Sequence, residues 1–158
     1  MITISFKRSL QFLSALLIIG AAQASTQDRW FISPGFKLGY AFGENGGVVV
    51  GAEVSITHWP ESGRVITGAC VSIEGMKPYT LLHVGFEAAS VVGASVGPTM
   101  LISKESRSWG FTGTIWGALV VLPYFRYSSF SSTSDLYEAG TFLKFPMMLS
   151  GPRLSLGG

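Results

Sequence analysis

The feature that most constrains this chain is a side-chain period of two that runs through most of it. From Trp30 to Phe42 the even positions are Trp30, Ile32, Pro34, Phe36, Leu38, Tyr40 and Phe42, while Ser33, Gly35, Lys37, Gly39 and Ala41 fill the odd ones. Successive strand residues point to opposite faces, so this alternation predicts a β-strand with one bulky apolar face and one small or polar face. The bulky residues are largely aromatic and β-branched, which favours strand over helix.

The pattern recurs seven more times, over Val48–Trp59, Arg64–Glu74, Tyr79–Ala89, Val92–Ile102, Trp109–Leu119, Val121–Ser129 and Leu136–Phe145. Turn chemistry separates several of these segments: Gly43-Glu44-Asn45-Gly46-Gly47, Pro60-Glu61-Ser62-Gly63 and Gly75-Met76-Lys77-Pro78. Ser103–Ser108 and Ser128–Asp135 read as polar loops, and the turn between Ala89 and Gly93 leaves little signature. Pro146 removes a ladder donor, so Met147–Gly158 is expected to be a tail or a short extra edge segment. Eight strands with short connections can close into an up-and-down barrel that has no edges.

Charge decides which face looks outward. Lys37, Glu53, Glu74, Glu87, Arg126, Glu138 and Lys144 all fall on the small-residue face of their strands. If the apolar face pointed inward, the exterior would be mostly Gly, Ala, Ser and Thr, far poorer in charge than a soluble surface. Charged residues make up only 13% of the chain and mean hydropathy is +0.42, although no apolar run after residue 24 is long enough for a spanning helix. With the apolar face in lipid, the charges enter a narrow lumen where three cations and four anions can pair. Trp30, Tyr40, Trp59, Tyr79, Trp109, Tyr127 and Tyr137 crowd the strand ends, where interface aromatics belong. The expected fold is therefore all-β: an antiparallel, up-and-down, eight-stranded transmembrane β-barrel.

The N-terminus reads as an address. Lys7 and Arg8 precede an apolar run from Leu10 to Ala22 that closes on Ala22-Gln23-Ala24, the charge–apolar–small order of a secretory signal peptide. Cleavage is expected near Ala24, leaving residues 25–158 as a single barrel domain with a short C-terminal tail. Of the 11 Lys and Arg residues, Lys7 and Arg8 leave with the signal, so the remainder balances the 9 Asp and Glu. A neutral chain without a basic cluster gives no footprint for nucleic acid, and membrane lipid is the expected partner.

Chemistry is sparse. Cys70 is the only cysteine, and His58 and His83 are the only histidines, which by spacing give no metal-ligand set and imply no cofactor. His83 and Glu87 share a face but lie two pleat steps apart, roughly 13 Å. His58 has Ser55 and Glu61 nearby in sequence, yet a His-x-Ser pairing of the lipid-deacylase kind is absent. The glycines from Gly110 to Gly117 lack the strand–loop–helix context of a phosphate site. No catalytic residues are assigned.

With its signal peptide, dyad alternation and strand-end aromatics, the segment from Trp30 to Phe145 resembles the small eight-stranded outer-membrane proteins of bacteria. That resemblance implies an outer-membrane location and a structural, adhesive or protective role rather than an open pore. The chain departs from that class in ending Leu156-Gly157-Gly158 rather than on an aromatic residue. Three other readings remain: a soluble periplasmic lipocalin-like barrel around an apolar ligand, an outer-membrane lipid-modifying enzyme, and a helical membrane protein spanning at Leu81–Ile102 and Trp109–Phe125. A protein partner is not specified.

Overall fold

The computed structural model describes residues 29–149 except 44, 45, 62 and 118–120. The expected signal peptide and the chain after residue 149 lie outside the described residues. The strands are β1 Arg29–Phe42, β2 Gly47–Trp59, β3 Ile66–Met76, β4 Tyr79–Ala89, β5 Val92–Ile102, β6 Arg107–Gly117, β7 Leu122–Phe130, β8 Leu136–Lys144 and the two-residue β9 Met147–Met148. Each of β1 to β7 pairs antiparallel with the next, and β1 pairs with both β2 and β8, so the sheet closes on itself, with β9 added along β1. This is an eight-stranded up-and-down barrel.

Burial alternates along every long strand, and the bulky apolar residues are outside. Phe36 is 64% exposed, and Leu38, Val50, Val71, Val84, Phe86, Val96, Phe111, Ile115 and Phe125 are likewise exposed. Among the described residues, exposed charges are confined to turns and one strand end: Glu61, Arg64, Lys77, Lys104, Glu105, Arg107 and Asp135. A continuous apolar wall of this kind has hydrocarbon as its solvent, and closure leaves no unpaired backbone edge within it. The barrel spans a membrane. A lipocalin-like barrel would carry the opposite inside and outside, and the described residues of Leu81–Ile102 and Trp109–Phe125 form strands and turns, not helices. No helix among the described residues is long and apolar enough to cross a membrane.

Several boundaries differ from the sequence reading. β3 starts at Ile66 rather than Arg64 and runs on through Gly75 to Met76, because Met76 turns its side chain into the lumen and only Lys77-Pro78 makes the turn. β6 starts at Arg107, since Ser108 points inward and accepts a 2.8 Å bond from the Ser132 hydroxyl. β7 runs to Phe130, whose ring is also inside.

Pro146 does not end the pairing. Lys144 faces Gly35 and Met147 faces Ile32, so β9 continues β8 along β1 in one register. The Phe145 and Leu149 amides donate to the Pro34 and Trp30 carbonyls at 2.9 and 2.8 Å. Antiparallel bonding alternates, so Pro146, one residue after Phe145, stands where an N–H would point away from β1. Pro146 therefore costs the ladder with β1 nothing.

Candidate functional site: the lumen

Seven charged side chains from six strands meet inside the barrel. The Lys37 ammonium lies 2.9 Å from Glu53 and 2.6 Å from Glu74. Arg126 pairs with Glu74 and, at 3.5 Å, with Glu138, its direct cross-strand neighbour. Lys144 reaches Glu53 at 2.7 Å and Glu87 at 3.0 Å. Read along the contacts, the sequence is Glu87–Lys144–Glu53–Lys37–Glu74–Arg126–Glu138, a single chain of alternating sign. Each cation touches two carboxylates, which offsets the desolvation of placing ions in a dry interior.

The two ends of this chain are carboxylates, and they end differently. Glu138 accepts a hydrogen bond from the Tyr124 hydroxyl. Glu87 has Lys144 as its ion-pair partner among the described residues. Hydroxyls fill the rest of the polar layer: Ser72 donates to Glu74 at 2.9 Å, Arg126 Nε donates to Thr114 at 3.1 Å, and Thr112 and Ser128 share a 2.7 Å bond.

Glycines make room for these side chains. Gly93 faces Trp116 across the β5–β6 ladder, and a Cβ there would fall within the indole. Gly39 lies under the Tyr124 hydroxyl in the same way. Gly110, Gly113 and Gly117 are strand residues of β6, not a phosphate-binding loop.

Toward the β1–β2, β3–β4, β5–β6 and β7–β8 turns, the lumen is closed by an apolar layer of Ala41, Val49, Met76, Leu81, Leu101, Phe130 and Leu136. This layer is not among the elements expected from the sequence, where its signal is a loss of alternation at strand ends such as Val48-Val49-Val50 and Leu81-Leu82. Toward the chain termini the lumen opens into a recess of about 420 Å³, lined by Phe31, Trp59, Ile66, Ala89, Trp116 and Leu122, with Glu87 and Lys144 among its polar residues.

The strand-end aromatics divide into two sets. Trp30, Tyr40, Trp109, Tyr127 and Tyr137 face outward, with Phe42 joining those at the turn end and Phe145 joining Trp30 at the terminus end. Trp59 and Tyr79 instead turn inward: Trp59 lines the recess, and Tyr79 packs on the apolar layer. Both are half-buried at strand ends, and their parity sets them on the lumen side. Trp59 shares its face with Glu53, and Tyr79 shares its face with His83 and Glu87.

His58 stacks on Trp30 at 4.8 Å between ring centres, near the outer rim. His83 is 1% exposed, between Ser72 and Thr99 in the ladder, and neither ring nitrogen has a hydrogen-bond partner among the described residues. Cys70 is brought close to Glu53 and Glu87, with one potential ligand atom from each inside 4.8 Å, a grouping that three separate strands concealed in the sequence. The Lys144 ammonium already bridges those two carboxylates.

No protein-family model matches the chain, and no curated protein matches its sequence. Solved structures do share its outline. Neisserial surface protein A matches with a TM-score of 0.43 and 9% identity, over 73% of this chain and 95% of that one. The outer membrane protein Ail of Yersinia pestis gives 0.42 and 10%, over 75% and 100%. A designed transmembrane β-barrel gives 0.42 and 9%, over 73% and 95%.

Proposed function

We propose that this chain is a bacterial outer-membrane barrel that neither conducts nor catalyses, and that serves a structural, adhesive or protective role through its wall and turns. The observation that carries this reading is the filled lumen. An alternating chain of seven charges crosses it, and an apolar layer seals the turn end. An eight-stranded lumen is only wide enough for side chains, and here those side chains are tied to one another. The Lys7-Arg8 and Leu10–Ala22 export pattern supports delivery beyond the inner membrane.

A non-enzymatic role is supported by the placement of the histidines. His58 stacks on Trp30, and His83 lacks the hydrogen-bonded orienting acid that a general base uses. Any partner contact falls to the turns Ser103–Ser106 and Ser131–Asp135, which are shorter than the sequence implied.

The test is reconstitution of the folded protein in a planar bilayer, together with fractionation of the host envelope. Silence under applied voltage and recovery with outer membranes are expected. Stepwise currents from the native barrel, or recovery with inner membranes, would overturn the reading. A change in host lipid profile that disappears in a His58→Ala/His83→Ala variant would replace it with a lipid-modifying enzyme.

A further inference from the structure

The recess at the terminus end has a chemistry of its own. Its volume of about 420 Å³ lies in the range of small-molecule pockets, roughly 300–1,000 Å³. Its walls are apolar and rich in rings: Phe31, Trp59 and Trp116 with Ile66, Ala89 and Leu122. The Phe31 and Trp59 ring centres are 6.5 Å apart.

The polar groups in the recess do not suit an anion. Among its described lining residues Lys144 is the only cation, and the three hydrogens of that ammonium have three acceptors: Glu53 at 2.7 Å, Glu87 at 3.0 Å and the Ser55 hydroxyl at 3.4 Å. What the described lining then offers a carboxylate or phosphate is neutral donors, such as the Ser33 and Thr57 hydroxyls, and no free cation. Negative charge is in surplus instead. The lumen chain holds four carboxylates and three cations, and its Tyr124-capped end is Glu138, far along the contacts from the recess. The other end, Glu87, is the one that lines the recess.

The aromatic walls point the same way. Lys144 Nζ already lies 5.0 Å from the Trp116 ring centre, so this indole is oriented to accept positive charge. Ring faces carry negative potential, and aromatic walls beside a carboxylate are a recurrent means of holding quaternary ammonium groups.

We propose that this recess is a binding site for an organic cation with an apolar or aromatic body, its positive group set against Glu87 and its body between Phe31, Trp59 and Trp116. The site is blind, because the charged layer closes it below, so it captures a ligand without passing it through the barrel. It goes beyond the proposed role of the wall and turns and does not depend on which bacterial membrane holds the barrel.

The test uses protein extracted folded from membranes in an uncharged detergent. A Trp30→Phe/Trp109→Phe background leaves Trp59 and Trp116 as the fluorescent reporters, since the chain has only four tryptophans. The probes are benzyltrimethylammonium, its uncharged carbon isostere neopentylbenzene, and benzenesulfonate. Saturable quenching by the cation is expected, at least about tenfold weaker for the isostere and for the Glu87→Gln variant, with none by the sulfonate. Ala89→Phe, which narrows the recess without touching a charge, is expected to abolish cation binding in a barrel that still shows heat-modifiable gel mobility. Equal affinity for the isostere, unchanged affinity in Glu87→Gln, or no saturable signal from a barrel folded by that gel criterion would overturn the proposal.

Discussion

Lys37 and Glu74 are joined at 2.6 Å although they stand on strands that do not touch. Between them lies Gly51 of β2, paired with Lys37 on one side and Glu74 on the other. A Cβ at Gly51 would press on the Glu74 side chain. The ion pair therefore needs both the charges and the missing side chain between them.

Removing Lys37 takes one of two cation partners from Glu53 and from Glu74 at once, leaving them Lys144 and Arg126. Lys37→Met is expected to destabilise the folded barrel by about 3–5 kcal/mol, the usual cost of breaking a buried pair. Urea unfolding in lipid vesicles measures it. A loss below about 1 kcal/mol would mean the lumen rearranges to re-pair Glu53 and Glu74.

Gly93 and Trp116 are coupled by shape. Gly93→Ala places a methyl group within the indole and lowers the unfolding midpoint, whereas Gly93→Ala with Trp116→Leu recovers much of that loss. The expected coupling is about 0.5–3 kcal/mol in a double-mutant cycle. Simple additivity would show that the ring has another place to go.

Depth on the outer wall sets the cost of a charge. Val84 stands in the middle of β4, while Val92 begins β5 beside a turn. Val84→Arg is expected to cost about 2–4 kcal/mol and Val92→Arg about 0–1. Folding free energies in vesicles decide this, and equal costs at the two positions would contradict a lipid-facing wall.

The Tyr127 hydroxyl donates to Asp135 at 2.6 Å at the β7–β8 turn. This bond, followed by one from the Ser129 hydroxyl, holds the Asp135 carboxyl below its ordinary range. Its contribution is thus present above the ordinary carboxylate range and is lost as pH falls through the depressed value. In Tyr127→Phe the Asp135 carboxyl carbon, followed by NMR, should titrate at higher pH than in the native barrel; an unmoved midpoint would remove the role of the hydroxyl.

The strand count and the direction of the wall were legible because parity is local. Any stretch of β1 or β5 reports its own two faces. The order of contacts inside was not, because Lys37 meets Glu74 only through the registers of β1 on β2 and of β2 on β3. At Trp59 and Tyr79 two signals coincide: both stand at strand ends, and their parity sets them with the lumen-side residues of their strands. At Gly75 and Pro146, residue type suggested a stop. Gly75 faces outward within β3, and Pro146 turns its missing donor away from β1, so both belong to continuous pairing.

The length of β1 carries a last consequence. It offers 14 residues for pairing and β8 only 9, so the seam where first and last strands meet would gape below Gly35 without Met147–Leu149. Met147–Leu149 carries the ladder past the proline to Trp30, Phe31 and Ile32, and a chain cut at Phe145 would hold its curvature yet leave that stretch of the first strand's backbone unzipped and facing lipid.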